Sequence, residues 1–163
     1  MSSNINDYRD TLGIFPTGVT VITTLDNQGT AVGFTANSFN SVSLEPKLVL
    51  WSLDKSASLL STFEETKNYA IHFLTPEQID ISNTFASPIE DRFANIDWHL
   101  SENNLPILEG CAAHLECEAR HCYPGGDHLI FVGEVIQYAS DKKQKSLAYH
   151  LGNYAKCAPI DFE

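Results

Sequence analysis

The sequence predicts a mainly β fold, an antiparallel barrel with short helical insertions. Two observations predict it: apolar runs of strand length dominate the chain, and no regular strand–helix alternation suggests a parallel sheet. The chain has 163 residues, 43% hydrophobic and 19% charged, which is enough apolar material for one core. We therefore expect residues 1–163 to form a single domain.

The clearest strands lie in the first half of the chain. Residues 19–24 are all β-branched, residues 26–29 have turn chemistry, and residues 30–34 return, so a hairpin is predicted. Residues 47–52 and 68–74 are two further apolar runs of strand length. The first half therefore supplies at least four strands.

In the second half, apolar and polar residues alternate from Cys111 to Arg120. The odd-numbered residues of this stretch are expected to point to the core, and the even-numbered ones, with Glu116 among them, mostly to water. Residues 123–127 have turn chemistry, and residues 128–136 are expected to pair back as an antiparallel strand.

Two short helices are predicted between strands. Leu59, Leu60 and Phe63 follow helical spacing, and we expect Ser56 to cap that helix. Thr75-Pro76-Glu77-Gln78 has the pattern of a capping box, which predicts a second helix running toward Phe85.

Charge and cysteine content limit the partners and the compartment. The net charge of −11 argues against nucleic acid or an anionic membrane as the main partner, because both need a basic face. No segment approaches about 18 uncharged apolar residues, and the first seven residues lack the features of a secretory signal. Four cysteines in such a chain are expected to be reduced thiols, so we expect a cytoplasmic protein.

A hydroxyl-rich loop is predicted at residues 33–43, and residues 52–58 form a second cluster of small polar side chains. If Ser56 starts a helix, its first backbone N–H groups face Ser52 and Lys55, which favours a phosphate site. The alternative is that Ser56 only caps the helix and the loop serines only satisfy turns. Together the two clusters favour a cofactor that carries phosphate.

Two further residues are candidates for this ligand. His128 begins a strand after two glycines, so it could pack beside a cofactor ring at the rim of the barrel. The alternative is a hairpin turn with a partly exposed histidine. Arg92 is a candidate phosphate partner because its planar fork suits oxyanions, and an exposed surface arginine is the alternative.

A metal site is not expected, although cysteines and histidines are dense between residues 111 and 122. Cys111 and Cys117 share one face of a predicted strand while His114 lies on the other, so the ligands do not converge. Buried inert thiols explain these cysteines better. The sequence also lacks a P-loop, a GxGxxG fingerprint and the motifs of a Ser-His-Asp hydrolase.

Taken in order, several motifs resemble the flavin reductase domain family, the small reductases that supply reduced flavin to two-component monooxygenases. They are GIFPTGVTVIT at 13–23, GFTANSF at 33–39, SVSLEP at 41–46, DRF at 91–93, GDH at 126–128 and YHLGNY at 149–154. The resemblance runs from about Tyr8 to Tyr154 and implies an FMN-binding split barrel, a homodimer with flavin near the subunit interface.

The resemblance also implies roles for individual residues. Thr35, Ala36, Asn37 and Ser38 would line the isoalloxazine and ribityl chain. The ribityl and phosphate end would be surrounded by Ser52, Leu53, Lys55, Ser56 and Ser58, and the pocket closed by Phe85, Arg92 and Phe93. His128 would be the catalytic residue, where nicotinamide meets flavin, with Tyr154 near the same mouth. Lys47 and Asn153 depart from the family pattern, and Asn153 removes a positive charge that would attract NAD(P)H phosphates.

The function that the resemblance implies is hydride transfer from NADH or NADPH to FMN, with FAD or riboflavin as other flavin substrates. Reduced flavin would then pass to a partner monooxygenase. Two alternatives stay open: an FMN protein of the same fold that acts on a small organic substrate, and a flavin-binding protein without turnover.

Overall fold

The structure, a computed structural model, describes residues 4–160. The helices are α1 (Ile5–Gly13), α2 (Leu60–Glu65) and α3 (Ile79–Ala86), and a 3-10 turn at Pro76–Gln78 leads into α3. The strands are β1 (Thr17–Gly18), β2 (Thr20–Leu25), β3 (Ala31–Ala36), β4 (Asn40–Leu44), β5 (Lys47–Asp54), β6 (Asn68–Phe73), β7 (Trp98–Leu100), β8 (Pro106–Leu108), β9 (Ala113–Gly125), β10 (His128–Ser140), β11 (Leu147–His150) and β12 (Asn153–Lys156).

A seven-stranded antiparallel sheet forms the body of the molecule, in the order β3-β2-β6-β9-β10-β5-β4. Its two edge strands, β3 and β4, are consecutive in the chain, so the sheet has to curl until its edges approach each other. Ser38, in the link between them, accepts a 2.9 Å hydrogen bond from the backbone N–H of Ser52 in β5. The predicted antiparallel barrel, of the split type, is confirmed.

The inside of the barrel is filled by aromatic side chains. The Trp51 ring stacks on Phe131, with centroids 4.3 Å apart, and meets Phe63 and Tyr69 edge to face. Trp51 is fully buried, as are most of its neighbours. A second apolar cluster lies outside the barrel, where α3, β8 and β11 cover the sheet.

The predicted hairpins are confirmed. The β2–β3 turn is held by Asp26, whose carboxylate accepts hydrogen bonds from the N–H groups of Gln28 and Thr30. The β9–β10 hairpin has a two-residue loop, in which Gly126 adopts a φ of 70°, a left-handed value that favours glycine. The strands predicted at 47–52 and 68–74 are β5 and β6.

The prediction of a loop at residues 33–43 is wrong. Residues 33–36 belong to β3 and residues 40–44 form β4, so only residues 37–39 are a connection. Asn-Ser-Val-Ser-Leu alternates polar and apolar residues, as an edge strand does, but its serines and asparagine favoured a loop assignment. Thr35 and the polar residues of β4 therefore project from strands, whereas Asn37 and Ser38 lie in the short connection.

The helix predicted from Ser56 is also corrected, because α2 begins only at Leu60. The backbone N–H and hydroxyl of Ser56 both donate to the Asp54 carboxylate, each at 2.7 Å, which holds Ser56 in a turn instead of a cap. The predicted phosphate site depended on helix N–H groups at Ser56, so it is wrong as well. The capping box at Thr75 and Gln78 is confirmed.

The face assignment in residues 111–120 is wrong at three positions: Ala112, just before β9, was expected in water but is 7% exposed, and two residues within β9 also differ. Glu116 was expected in water but is 1% exposed, because the β7–β8 hairpin covers it and the Ser101 hydroxyl and Asn103 amide donate to its carboxylate. Ala119 was expected inside but is exposed. A register shift between Val132 and Gly133 of the partner strand interrupts the alternation there.

The four cysteines are free thiols, in two environments. Burial raises the pKa of Cys117 to about 12 and that of Cys111 to about 11, which makes both poor nucleophiles. Cys122 was expected to be buried but is exposed, as is Cys157. In the part of the chain that the structure describes, no helix combines the length and apolar character needed to cross a membrane.

Candidate functional site

The outer face of β3 carries the central part of the candidate site. Alternate residues of the strand face opposite sides, so Gly33 and Thr35 point toward α3 while Phe34 packs on Trp51 and Phe63 inside the barrel. The Thr35 hydroxyl donates to the backbone carbonyl of Ser82 in α3 at 2.7 Å. This bond fixes the side chain against the helix.

Gly33 allows this close packing. A Cβ atom at Gly33 would lie 2.7 Å from the Ile22 carbonyl oxygen and 3.0 Å from the Phe85 ring. Because the nearest atom belongs to the backbone of β2, a larger residue would force the strands apart.

A first cleft, of about 300 Å³, opens beside Gly33. Ser58, Arg92 and Phe93, all predicted site residues, line it. Arg92 donates from Nη1 to the Gly33 carbonyl at 2.6 Å and from Nε to the Ser87 carbonyl at 3.0 Å. Partial burial lowers the pKa of Arg92 from its ordinary value. The guanidinium has five N–H donors, so these two bonds leave others for an anion.

A second cleft, of about 210 Å³, opens beside Thr35. Thr35, Asn37 and Tyr154 line it, as predicted site residues, together with Ser82. The Tyr154 hydroxyl lies 2.9 Å from Ser82 Oγ and 2.8 Å from Asn83 Oδ1, which ties β12 to α3. Gly33 and Thr35 are two residues apart on one strand face, a rise of about 6.6 Å along the strand, so the two clefts border neighbouring positions of β3.

The donor set of the two clefts suits a phosphorylated, hydroxylated ligand such as FMN. Within residues 4–160, Asn37 and Ser58 make no side-chain hydrogen bond, so both can bind a ligand. Arg92 has spare donors for a phosphate, and Phe93 offers an apolar wall. Side by side, the clefts approach the size of small-molecule sites, about 300–1,000 Å³. The residues present therefore fit an FMN-sized group.

A third group of polar residues lies where β5 meets the β9–β10 hairpin. His128 pairs with Asp54 across the ladder, and its Nδ1 lies 2.7 Å from the Asp127 carboxylate. This bond lowers the pKa of Asp127, and the two donors of Ser56 lower the pKa of Asp54. Lys55 was predicted to bind phosphate, but its ammonium group donates to the Gly126 carbonyl at 2.6 Å.

Several predicted side chains lie where they cannot touch a ligand. Ala36, Leu53 and Phe85 are 7%, 6% and 1% exposed. Phe85 packs edge to face behind Phe93, with ring centroids 5.0 Å apart, so it supports the first cleft and does not line it. Ala36 and Leu53 face the barrel interior, because they alternate with the polar residues on their strands. Only their backbones are available to a cofactor.

Ser38 and Ser52 are partly buried and bond to each other. Ser38 Oγ donates to the Ser52 carbonyl at 3.2 Å besides accepting from its N–H. These two residues connect the clefts to the rim, since Asp54 follows Ser52 by two positions on β5 and pairs with His128. Ser38 and Ser52 thus link the end of β3 to the strand that leads to Asp54 and His128.

Two residues of the site escaped sequence reasoning. Ser82 is fully buried in α3 and bonds both Thr35 and Tyr154, but a serine within a short helix carries no sequence signal. Tyr149 lies in the second cleft and also borders a larger cleft of about 740 Å³ beside α1. Its place in the YHLGNY motif was the available signal.

Comparison with known proteins identifies the family. The flavin reductase like domain matches residues 12–158. The chain belongs to this family. A relative 43% identical over 152 residues is the reductase component of a flavin-dependent trigonelline monooxygenase from Acinetobacter baylyi. The match covers 93% of this chain and 49% of that protein, so the chain spans about half the length of this relative.

Two further members of the family are similar over more of their own length. The FMN reductase (NADH) SmoA of Agrobacterium fabrum is 41% identical over 136 residues, covering 83% of this chain and 77% of that protein. The NADH:FAD oxidoreductase SgcE6 of Streptomyces globisporus, solved with NAD and FAD fragments, superposes with a TM-score of 0.92 at 36% identity. That match covers 98% of this chain and 96% of SgcE6.

Proposed function

We propose that this chain is an NAD(P)H:flavin oxidoreductase that binds FMN in the paired clefts on the outer face of β3. The observation that carries the proposal is the arrangement of Arg92, Ser58, Thr35 and Asn37 in two adjoining openings on one strand face. Membership of the flavin reductase family supports the same assignment. The names of SmoA and SgcE6 support a flavin and NADH as the reactants.

Each opening has a different task in this proposal. Arg92 and Ser58 hold the phosphate of FMN, because a guanidinium with free N–H donors forms strong charge-assisted bonds to oxyanions. Thr35, Asn37 and Tyr154 bind the ribityl hydroxyls and the polar edge of the ring. The molecule carries a net charge of −11, so an anionic cofactor has to be held by such local donors.

The reaction needs little acid–base chemistry from the protein. Bound flavin supplies the electron-accepting ring, and the protein has to orient the two reactants and exclude competing reactions. We assign His128, which starts β10 at the rim, to orient the nicotinamide. Lys55 holds the hairpin that carries His128 through the backbone carbonyl of Gly126.

The test is to mix purified protein with FMN and with NADH or NADPH, and to follow nicotinamide oxidation and flavin bleaching. Oxidation of NADH or NADPH coupled to flavin bleaching would support the assignment as a flavin reductase. Flavin uptake without nicotinamide oxidation would support a non-catalytic flavin protein, and absence of flavin uptake would overturn the proposal.

His128→Ala should slow turnover more than it weakens flavin binding. The substitution lies at the rim of the barrel and leaves the core, Phe131 included, unchanged.

Three further parts of the proposal concern assembly and context. We infer that residues 1–163 act as one flavin-binding domain in the cytoplasm and as a homodimer. The exposed apolar residues of the α1 region, among them Ile5, Leu12 and Phe15, support a subunit interface there. Light scattering on the purified chain tests the dimer. The relatives' names support a partner monooxygenase as the acceptor of reduced flavin.

A further inference from the structure

The rim of the barrel contains a histidine held between two carboxylates. One oxygen of Asp54, one of Asp127 and one imidazole nitrogen of His128 all lie within 4.8 Å of one another. The side chain of His128 is 42% exposed and that of Asp127 88% exposed, so the group opens to solvent. Ser56 donates two hydrogen bonds to Asp54 Oδ1, and the direct hydrogen bond to the ring is made by Asp127.

The short contact determines which ring nitrogen carries a proton. An ionised carboxylate can only accept, so His128 Nδ1, 2.7 Å from the Asp127 oxygen, has to be the N–H donor. The hydrogen bond to His128 also keeps the pKa of Asp127 below its ordinary value, which favours the ionised form. In the neutral ring, Nε2 is then left with its lone pair and can accept a hydrogen bond from a ligand.

The backbone around this contact is fastened from β5. The N–H of Lys55 donates to the Asp127 carbonyl at 2.9 Å, and its ammonium group donates to the Gly126 carbonyl at 2.6 Å. Both loop residues of the β9–β10 hairpin are therefore bound to the same lysine. Because the loop has only two residues, the Asp127 side chain has a fixed origin beside the ring.

We propose that Asp127 is a positioning residue for His128: it holds the imidazole as the Nδ1–H tautomer and leaves Nε2 to accept a hydrogen bond from a ligand. The inference rests on the proposed function for its consequence, since Nε2 would then accept from an amide N–H such as that of the nicotinamide carboxamide. Asp127, not Asp54, has this role, because the Asp127 carboxylate is the one at hydrogen-bond distance from the ring.

The first test measures the tautomer without any cofactor. In ¹⁵N-labelled wild-type protein above pH 8, the imidazole nitrogen shifts of His128 should report the Nδ1–H tautomer. In Asp127→Ala the Nε2–H tautomer, which a free imidazole prefers, should take over. Asp141→Asn, which removes an exposed carboxylate just beyond the other end of β10, should leave the His128 shifts unchanged. An Nε2–H tautomer in wild-type protein would overturn the proposal, whatever the activity.

The second test measures coupling between the two residues. Asp127→Ala should slow flavin reduction by NADH about tenfold in a single turnover, a moderate coupling for residues in contact. In a His128→Ala background the same substitution should have little further effect. Asp127→Asn keeps an oxygen acceptor and should recover much of the rate. An equal loss in both backgrounds would show that Asp127 acts independently of His128, and would overturn the proposal.

The two tests separate this inference from the proposed function. If wild-type protein has the Nδ1–H tautomer but oxidises neither NADH nor NADPH, the reductase assignment fails while the positioning of the ring stands. If turnover is normal and the tautomer is wrong, only the role of Asp127 fails. Thermal unfolding of each variant checks that the exposed hairpin residue has not altered folding.

Discussion

The two faces of β3 differ in what surrounds them. On the inner face, Phe34 packs against Trp51 and Phe63, and the barrel leaves no room for a ligand. On the outer face, Gly33 and Thr35 border two clefts, and their neighbours carry polar groups with unused bonding capacity. The same strand therefore serves the core with Phe34 and Ala36 and the candidate site with Gly33 and Thr35.

This difference separates stability from binding in a testable way. The outer face borders the clefts at β3; on β2 and β6, the strand β8 covers it, and there Thr23 and His72 are fully buried. Changes inside the barrel or under this cover should affect folding, while changes around the clefts should affect flavin affinity.

The largest effect is expected inside the barrel. Trp51→Ala removes a fully buried ring with four aromatic neighbours, so it should lower the free energy of unfolding by about 3–5 kcal/mol. Urea unfolding measures this loss. The flavin affinity of the molecules that remain folded should change little. A variant of normal stability would show that the barrel interior is not the main core.

The covered part of the outer face should respond to acid. His72 bonds the Val21 carbonyl and the Leu108 N–H with its two ring nitrogens, and burial lowers its pKa to about 3. The unfolded chain binds this proton near pH 6.5, so stability is fully present above that pH. It should fall by up to about 1.4 kcal/mol per pH unit as pH drops toward 3.

The slope of unfolding free energy between pH 6.5 and 5 measures this effect. His72→Gln should flatten the slope, whatever it does to stability at pH 7. His121→Gln, at an exposed position, is the matched control and should leave the slope near that of the wild type. Equal slopes in the wild type and in His72→Gln would contradict the assignment of the proton to His72.

At the clefts, the main expected effect is on FMN binding; the two hydrogen bonds from Arg92 to the Gly33 and Ser87 carbonyls are also lost, so the free energy of unfolding is measured beside it. Arg92→Ala should weaken FMN binding about tenfold or more, because a hydrogen bond to a charged group contributes about 1.5–3 kcal/mol. Riboflavin lacks the phosphate, so its affinity should change much less. Lys142→Ala removes a charge from an exposed turn and serves as control. Equal losses of affinity for FMN and riboflavin would show that the phosphate of FMN does not bind at Arg92.

The smallest effect compares two threonines with similar bonds. Thr35→Val and Thr23→Val each remove a hydroxyl that donates to a backbone carbonyl, at 2.7 Å and 2.6 Å. Each should cost about 1 kcal/mol of stability. Only Thr35→Val should also weaken flavin binding, by a fewfold. Calorimetric titration of both variants checks this. An equal change in flavin affinity would show that Thr35, beside the second cleft, is no closer to the flavin than the buried Thr23.

The sequence was sufficient for the elements whose signals are local. The β2–β3 hairpin, β5, β6, the capping box at Thr75 and the β9–β10 hairpin all follow from alternation and turn chemistry within a few residues. The identity of polar residues near the clefts also came from the sequence, since Arg92, Thr35 and Asn37 belong to motifs of the family.

The predictions that were wrong concern residues whose environment depends on partners distant in the sequence or on competing local hydrogen bonds. Glu116 is buried because Ser101 and Asn103 reach it from the β7–β8 hairpin, and nothing near Glu116 in sequence indicates this. Ser56 does not cap a helix because its two hydrogen bonds to Asp54 hold it in a turn, four residues before α2 begins. The burial of Phe85 behind Phe93 likewise depends on how α3 docks on β3.

The two tryptophans of the chain lie in the two kinds of environment compared above. Trp51 is sealed among aromatic rings, whereas Trp98 is 36% exposed and lies with its ring centroid 5.2 Å from that of Phe93, beside the first cleft. Their intrinsic emission therefore supplies two optical probes without any label. Replacing Trp98 leaves a fluorophore that senses the barrel, and replacing Trp51 by phenylalanine leaves one close enough to transfer excitation to a yellow chromophore.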